Sequence, residues 1–185
     1  GYDRNHETIK RGLEYLKNHQ EKDGSWFGRW GTNYIYGTWS ALSALNMAGE
    51  DMKAPYVKRA IEWTISSQRD DGGWGESCES YWSQEGEGNS QSAFNISLPS
   101  QTAWAVLTLM AAGYHKSTAV ARGIKFLINT FQTYGGWDEE YFNAVGFPRV
   151  FFLRYHGYRL YFPLLALARF RNLTKTNSSH QGYGL

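Results

Sequence analysis

A single cysteine, Cys78, occurs in the 185 residues, so no disulfide within the chain can staple the fold, and this usage fits a reducing compartment. Long hydrophobic runs are also missing. No stretch is apolar enough for long enough to span a bilayer, which leaves membrane contact to a surface patch. No secretory signal pattern opens the sequence, and its first residues read as the approach to a helix. Excess charge of one sign is lacking too: 19 basic and 17 acidic residues give a net +2, and the basic groups are scattered. That pattern implies no strong electrostatic partner and speaks against nucleic-acid binding. The five histidines have no ligand-like spacing and Cys78 has no cysteine neighbour, so a metal site is not expected. No phosphate-binding loop is present, because the glycines precede tryptophans instead of a lysine-bearing helix start. The carboxylates Asp70–Asp71 and Asp138–Glu139–Glu140 lie beside turns and are expected to be solvated.

What the chain has in excess is aromatic side chains. The stretch "GSWFGRWGTNYIYGTW", residues 24–39, holds six aromatic residues (Trp26, Phe27, Trp30, Tyr34, Tyr36 and Trp39) and four glycines. Its aromatics follow neither a period of two nor one of 3.6, because the glycines interrupt both. A second concentration, "GFPRVFFLRYHGYRLYF", covers residues 146–162.

Internal repetition supplies the architecture. "RGLEYLKNHQEKDGSW" (11–26), "RAIEWTISSQRDDGGW" (59–74) and "RGIKFLINTFQTYGGW" (122–137) align without a gap. Each opens with Arg and a small residue, carries an aromatic at the fifth position and closes on Gly-x-Trp. Apolar residues recur at helical spacing within each: Ile9, Leu13 and Leu16; Val57, Ile61 and Ile65; Val120, Ile124, Leu127 and Phe131. A glycine turn ends each helix. Three further helices are expected at 38–49, 99–113 and 162–173. They are rich in Ala and Leu and nearly free of charge, as buried inner helices would be, with Pro99 and Pro163 in first turns that tolerate proline. Alternation of polar-faced outer helices with apolar inner ones predicts an all-α protein, an α/α toroid or part of one, over residues 1–173. Residues 76–98 read as an inserted surface loop and 174–185 as a polar tail.

These residues carry a resemblance. The unit of basic residue, small residue, aromatic, Gln and Gly-x-Trp is similar to the QW motif of triterpene cyclases. With "PSQTAW" and the 146–172 segment, the chain resembles the C-terminal part of squalene–hopene cyclases from about residue 8 to residue 173. Departures are visible: Phe131 stands where the family places Gln, with Gln132 beside it, Tyr134 where Asp is usual, and Thr64 where an aliphatic is usual. The family also starts its reaction with an Asp in a D-x-D-D motif, and these 185 residues contain none; the catalytic general acid is therefore not expected in this chain.

The resemblance implies acid-started cyclisation of squalene to hopene, with some hopanol, in a parent enzyme several times longer. It implies no organic cofactor and no metal. The partners implied are squalene or a similar polyprenoid, the rest of the cyclase chain, and one membrane leaflet, met peripherally from the cytoplasm. Such chemistry runs through carbocations, which aromatic faces stabilise through the ring quadrupole without acting as bases. By resemblance Gln20, Trp26, Gln68, Trp74 and Trp137 are structural, and Trp30, Phe147 and Phe151 line the cavity. Tyr36 lies near the acid end, where its hydroxyl would hold water or be a satisfied core group. Tyr155 and Tyr158 orient neighbours, and Phe152, Tyr161 and Phe162 pack. On spacing alone, 151, 155 and 158 would be a helical core stripe. A reading from a different class stays open beside the cyclase: a non-catalytic α/α module that binds with its concave surface.

Overall fold

The computed structural model describes residues 2–82 and 95–175. Six helices dominate: α1 Glu7–Asn18, α2 Tyr34–Met47, α3 Pro55–Ser66, α4 Pro99–Ala111, α5 Thr118–Tyr134 and α6 Tyr158–Lys175. Helix ends follow local chemistry. The His6 side chain accepts from the Thr8 N–H at the start of α1, and Ser117 caps α5 by accepting from the Val120 N–H. Pro55 and Pro99 open α3 and α4, where a missing N–H costs nothing. Gly135, at φ +68°, ends α5 in the left-handed conformation.

Helix α4 is buried along its whole length, packed against α2 and α6 on either side and α3 and α5 behind. Its near absence of charge is thus explained by position. Outer helices α1, α3 and α5 bury only one stripe each, including Leu13, then Val57 and Ile61, then Val120, Ile124 and Leu127. The mostly helical architecture expected from the sequence is the one observed, but α6, expected as a buried inner helix, buries only Pro163 and Ala166. It leaves Leu160, Tyr161, Leu164 and Leu165 exposed, because it packs against α4 and α5 on one side alone.

Three further details differ from expectation. Pro163 lies inside α6, because that helix starts at Tyr158, where a Gly157 turn nucleates it through bonds from the Leu160 and Tyr161 N–H groups to the Gly157 carbonyl. Residues 144–153 are not helical. They form an antiparallel hairpin, β1 Ala144–Phe147 and β2 Phe151–Leu153, with Ala144 opposite Leu153 and an irregular register at Gly146. The ring of Phe151 occupies the place a Cβ on Gly146 would need. A helical stripe through 151, 155 and 158 is therefore broken by the strand, and only Tyr158 is in a helix. Finally, within 76–98, Cys78–Trp82 form a 3-10 turn in which Ser80 and Tyr81 are buried. Residues 83–94 and 176–185 of the expected loop and tail lie outside the described residues.

Candidate functional site

The three Gly-x-Trp turns share a set of bonds. The indole N–H of Trp26 donates to the Leu16 carbonyl (2.8 Å), that of Trp74 to Thr64 (2.7 Å) and that of Trp137 to Leu127 (2.9 Å), ten residues back in each case. The Trp26 and Trp74 backbone N–H groups donate to the hydroxyls of Thr38 and Thr102, on the inner helices that follow. Gln20 donates to the carbonyls of Gly24 and Tyr56, and Gln68 to those of Gly72 and Ala119, tying each turn to the start of the next outer helix. Arg59 donates to the Gln20 side chain, and Arg122 to the carbonyls of Arg69 and Asp70. In the third turn Phe131 replaces the Gln and its ring lies 4.9 Å from that of Trp137. All three tryptophans are buried.

Two carboxylates do not behave as solvated turn residues. Glu139, expected in solvent, is buried: it accepts from the Ser100 N–H and hydroxyl and from Asn143, at the first turn of α4. Its exposure differs from that of neighbouring Asp138, which pairs with Arg159 at the surface. Glu76 does the same for α2, accepting from the N–H groups of Asn33, Tyr34 and Ile35. A helix N-terminus offers unpaired N–H groups and partial positive charge, so each buried carboxylate has its partner there. Burial nevertheless dominates and raises the pKa of both, against the lowering effect of these hydrogen bonds. Asp70 and Asp71 are exposed, as expected, with Asp71 accepting from Gly73 N–H and Ser97.

The aromatic candidates fall into three neighbouring groups. Trp30 and Tyr36 share a cleft of about 520 Å³ with Trp26, Phe27, Tyr15 and Leu16. Trp30 is 54% exposed, with the Arg29 guanidinium 5.2 Å from its ring centroid. Phe147 and Phe151 form an edge-to-face pair at 5.9 Å at the hairpin tip, both exposed. Tyr155 and Tyr158 lie 5.0 Å apart and join a cluster around fully buried Trp104. Its ring is 5.1 Å from Tyr36, 5.8 Å from Tyr158, 5.3 Å from Phe162 and 6.2 Å from Trp39. Burial raises the Tyr36 hydroxyl above its usual pKa, and raises Tyr158 with help from Tyr36 and Tyr155. Tyr36 thus joins two of the groups, the Trp30 cleft and the Trp104 cluster.

The remaining group, the hairpin pair, is joined to the Trp30 cleft through the backbone. The Val145 N–H donates to the Trp30 carbonyl (3.1 Å) and the Thr32 N–H to that of Asn143 (3.1 Å), so the Trp30 loop is bridged to the hairpin at Gly31 and Ala144. In the sequence Trp39 stands only as one ring of the 24–39 stretch, with no role of its own, and nothing there marks Trp104, whose signal is an apolar helix like any other, or Gln101. Gln101 is fully buried, accepting from the Glu76 N–H and donating to the carbonyls of Glu76 and Thr32.

The mostly helical fold is consistent with the helical toroid of a known family of domains, and sequence comparison identifies that family. The chain belongs to the squalene-hopene cyclase C-terminal domain family, which it matches over residues 1–172. It is 54% identical over 170 residues to a probable squalene–hopene cyclase of Sinorhizobium fredii, covering 92% of this chain and 26% of that protein. It is 53% identical over 183 residues to the squalene–hopene cyclase of Bradyrhizobium diazoefficiens, covering 96% of this chain and 26% of that protein. The lanosterol synthase of Mus musculus is 35% identical over 176 residues, 93% of this chain and 23% of that protein. The chain spans about a quarter of the length of these relatives.

Proposed function

We propose that this chain supplies part of the aromatic lining of a cyclase cavity in which squalene, or a similar polyprenoid, is folded and cyclised through carbocations. The observation that carries the reading is the disposition of rings against carboxylates. Trp104, Tyr36, Trp39, Tyr158 and Phe162 gather at centroid distances of 5.1 to 6.2 Å, while buried Glu76 and Glu139 are engaged by helix N–H groups. Ring faces stabilise a passing cation by about 0.5 to 2 kcal/mol each, more when dry; a free carboxylate there would capture it or take its proton early. Phe147 and Phe151 face the later cationic centres, Trp30 an adjoining wall, and the Tyr36 hydroxyl helps hold water near the acid.

The proton donor belongs to the remainder of a cyclase chain, with which this segment assembles. The three turns act as the family's QW repeats and keep the wall stiff. The parent enzyme takes its lipid substrate from one membrane leaflet on the cytoplasmic side. No helix among the described residues is long and apolar enough to cross a membrane, which is compatible with peripheral attachment.

The test is product composition, at matched conversion, in a full-length cyclase that carries this segment. Phe147→Ala or Phe151→Ala removes a quadrupole worth about 1 to 2 kcal/mol, slowing a late step by roughly 5- to 30-fold. Incompletely cyclised products should accumulate while squalene consumption falls only modestly. Phe126→Ala, on outer helix α5, is the packing control. An unchanged product ratio in the first two variants would return these rings to packing.

A further inference from the structure

Arg149 is the only non-glycine residue with positive φ among the described residues, at +65°. It follows Pro148 in the hairpin turn closed by the Val150 N–H on the Phe147 carbonyl (3.0 Å). The third position of such a turn, after proline, favours glycine because a Cβ is disfavoured in the left-handed region. A side chain kept at a place suited to glycine calls for a compensating contact. Arg149 has one: its Nε donates to the backbone carbonyl of Tyr81.

Tyr81 in turn is a buried hub. Its hydroxyl lies 2.8 Å from the Gly28 carbonyl oxygen and 2.9 Å from that of Gly31, the residues that bracket the Trp30 loop. Its ring meets Phe27 edge-on at 5.5 Å and stacks on Phe152 of β2 at 6.1 Å. The hairpin is therefore attached to the Trp30 loop at two separated places. At its base the attachment is Val145 N–H to Trp30 and the Gly31–Ala144 bridge; at its tip it is Arg149 through Tyr81 to Gly28 and Gly31. One attachment leaves a short, irregular hairpin free to pivot. Two fix its angle.

Phe147 and Phe151 flank the turn and are 53% and 45% exposed; the Phe151 ring rests on Gly146 and Phe147 meets it edge to face, so both rings are fixed to the hairpin and move with its angle. We propose that Arg149 and Tyr81 form a strut that sets the rings of Phe147 and Phe151 relative to Trp30, making Arg149 a positioning residue for product outcome. The proposal rests on the cyclase-wall reading of those three rings. It explains why an arginine occupies a backbone position that glycine would fill without strain.

Arg149→Gly separates the roles, because glycine suits φ +65° while the guanidinium is lost. In the full-length cyclase the strut predicts a melting temperature equal to or above the parent's. It also predicts a share of incompletely cyclised product raised roughly three- to tenfold, since small misplacements at a reacting centre cost up to about a hundredfold in rate. Tyr81→Phe, which keeps the ring and drops the hydroxyl, should shift products in the same direction. A lowered melting temperature with unchanged products in Arg149→Gly would make Arg149 a fold residue and overturn the strut. So would unchanged products in both strut variants while Phe147→Ala alters them. Unchanged products in Phe147→Ala itself would instead refute the wall reading beneath it.

Discussion

Gly12 and Gly123 occupy the same place in two of the repeats, each the sixth residue of an outer helix and each preceded by Arg. Replacing either with alanine removes backbone freedom from a helix interior, a gain of about 0.5 to 1 kcal/mol wherever the methyl fits. At Gly12 nothing lies within 4 Å of the added Cβ. At Gly123 the Cβ would come within 2.6 Å of Val106 Cγ2 and 2.8 Å of Trp74 Cζ3. Neither neighbour can yield easily. Val106 is on fully buried α4, and Trp74 is held by its indole bond to Thr64 and its backbone bond to Thr102. Overpacking of this kind costs about 1 to 3 kcal/mol. Gly12→Ala should therefore stabilise the purified chain, and Gly123→Ala should fall below it by about 1 to 3 kcal/mol. For a chain of this size that is a difference in melting temperature of roughly 2 to 12 °C. Thermal melts followed by circular dichroism read it directly. If Gly123→Ala melts at or above Gly12→Ala, the close docking of the second turn on α5 is wrong.

Trp26→Ala and Trp74→Ala should each cost about 3 to 5 kcal/mol, because each ring is buried and its indole bond lost, while half-exposed Trp30→Ala costs much less; equal losses in denaturant titrations would erase that distinction. Glu50 predicts acid sensitivity. Burial alone would raise its carboxyl, but Lys17 at 2.8 Å and the Asp51 N–H outweigh this and bring it to about 2. With the folded pKa below an unfolded value near ~4.3, its stabilisation is present at neutral pH and fades as pH falls toward 2, so Glu50→Gln should flatten that limb of the stability profile. Glu76 and Glu139 carry the opposite sign: their folded pKa is raised, so their contribution is full in acid and is lost as pH rises through it. Glu76→Gln should then reduce the loss on the rising-pH side, and an unaltered slope there would show that the helix N–H groups fully offset burial. The isolated chain, incubated with squalene, should form no hopene, because proton transfer to an alkene needs a strong, positioned donor; any polycyclic product would refute the assignment of the acid to elsewhere.

Helices and their layering were legible because burial stripes, glycine turns and Gly-x-Trp closures are local signals that tertiary packing reinforces. The hairpin was not. Residues 151, 155 and 158 satisfy helical spacing, and what overrides it is a pair of local constraints, Pro148 with left-handed Arg149 and the seat of the Phe151 ring on Gly146. Glu139 was misread for a related reason: a carboxylate beside a turn is indistinguishable in sequence from one that folds back onto a helix start some forty residues earlier, at Ser100. Trp104 carries no turn, charge or period that separates it from any other inner-helix residue, although its ring meets those of Tyr36, Trp39, Tyr158 and Phe162. Trp30 illustrates the converse. Its resemblance to a cavity tryptophan of the family marked it as a candidate, and its carbonyl takes one of the two backbone bonds that join the loop to the hairpin.

The most direct measurement replaces the matching quarter of the Bradyrhizobium diazoefficiens squalene–hopene cyclase with residues 2–175 and assays squalene conversion. The cyclase-wall account predicts a folded chimera that yields polycyclic products, with Phe147→Ala and Phe151→Ala shifting them toward incompletely cyclised hydrocarbons. A chimera that melts like its parent yet leaves squalene unchanged would contradict it.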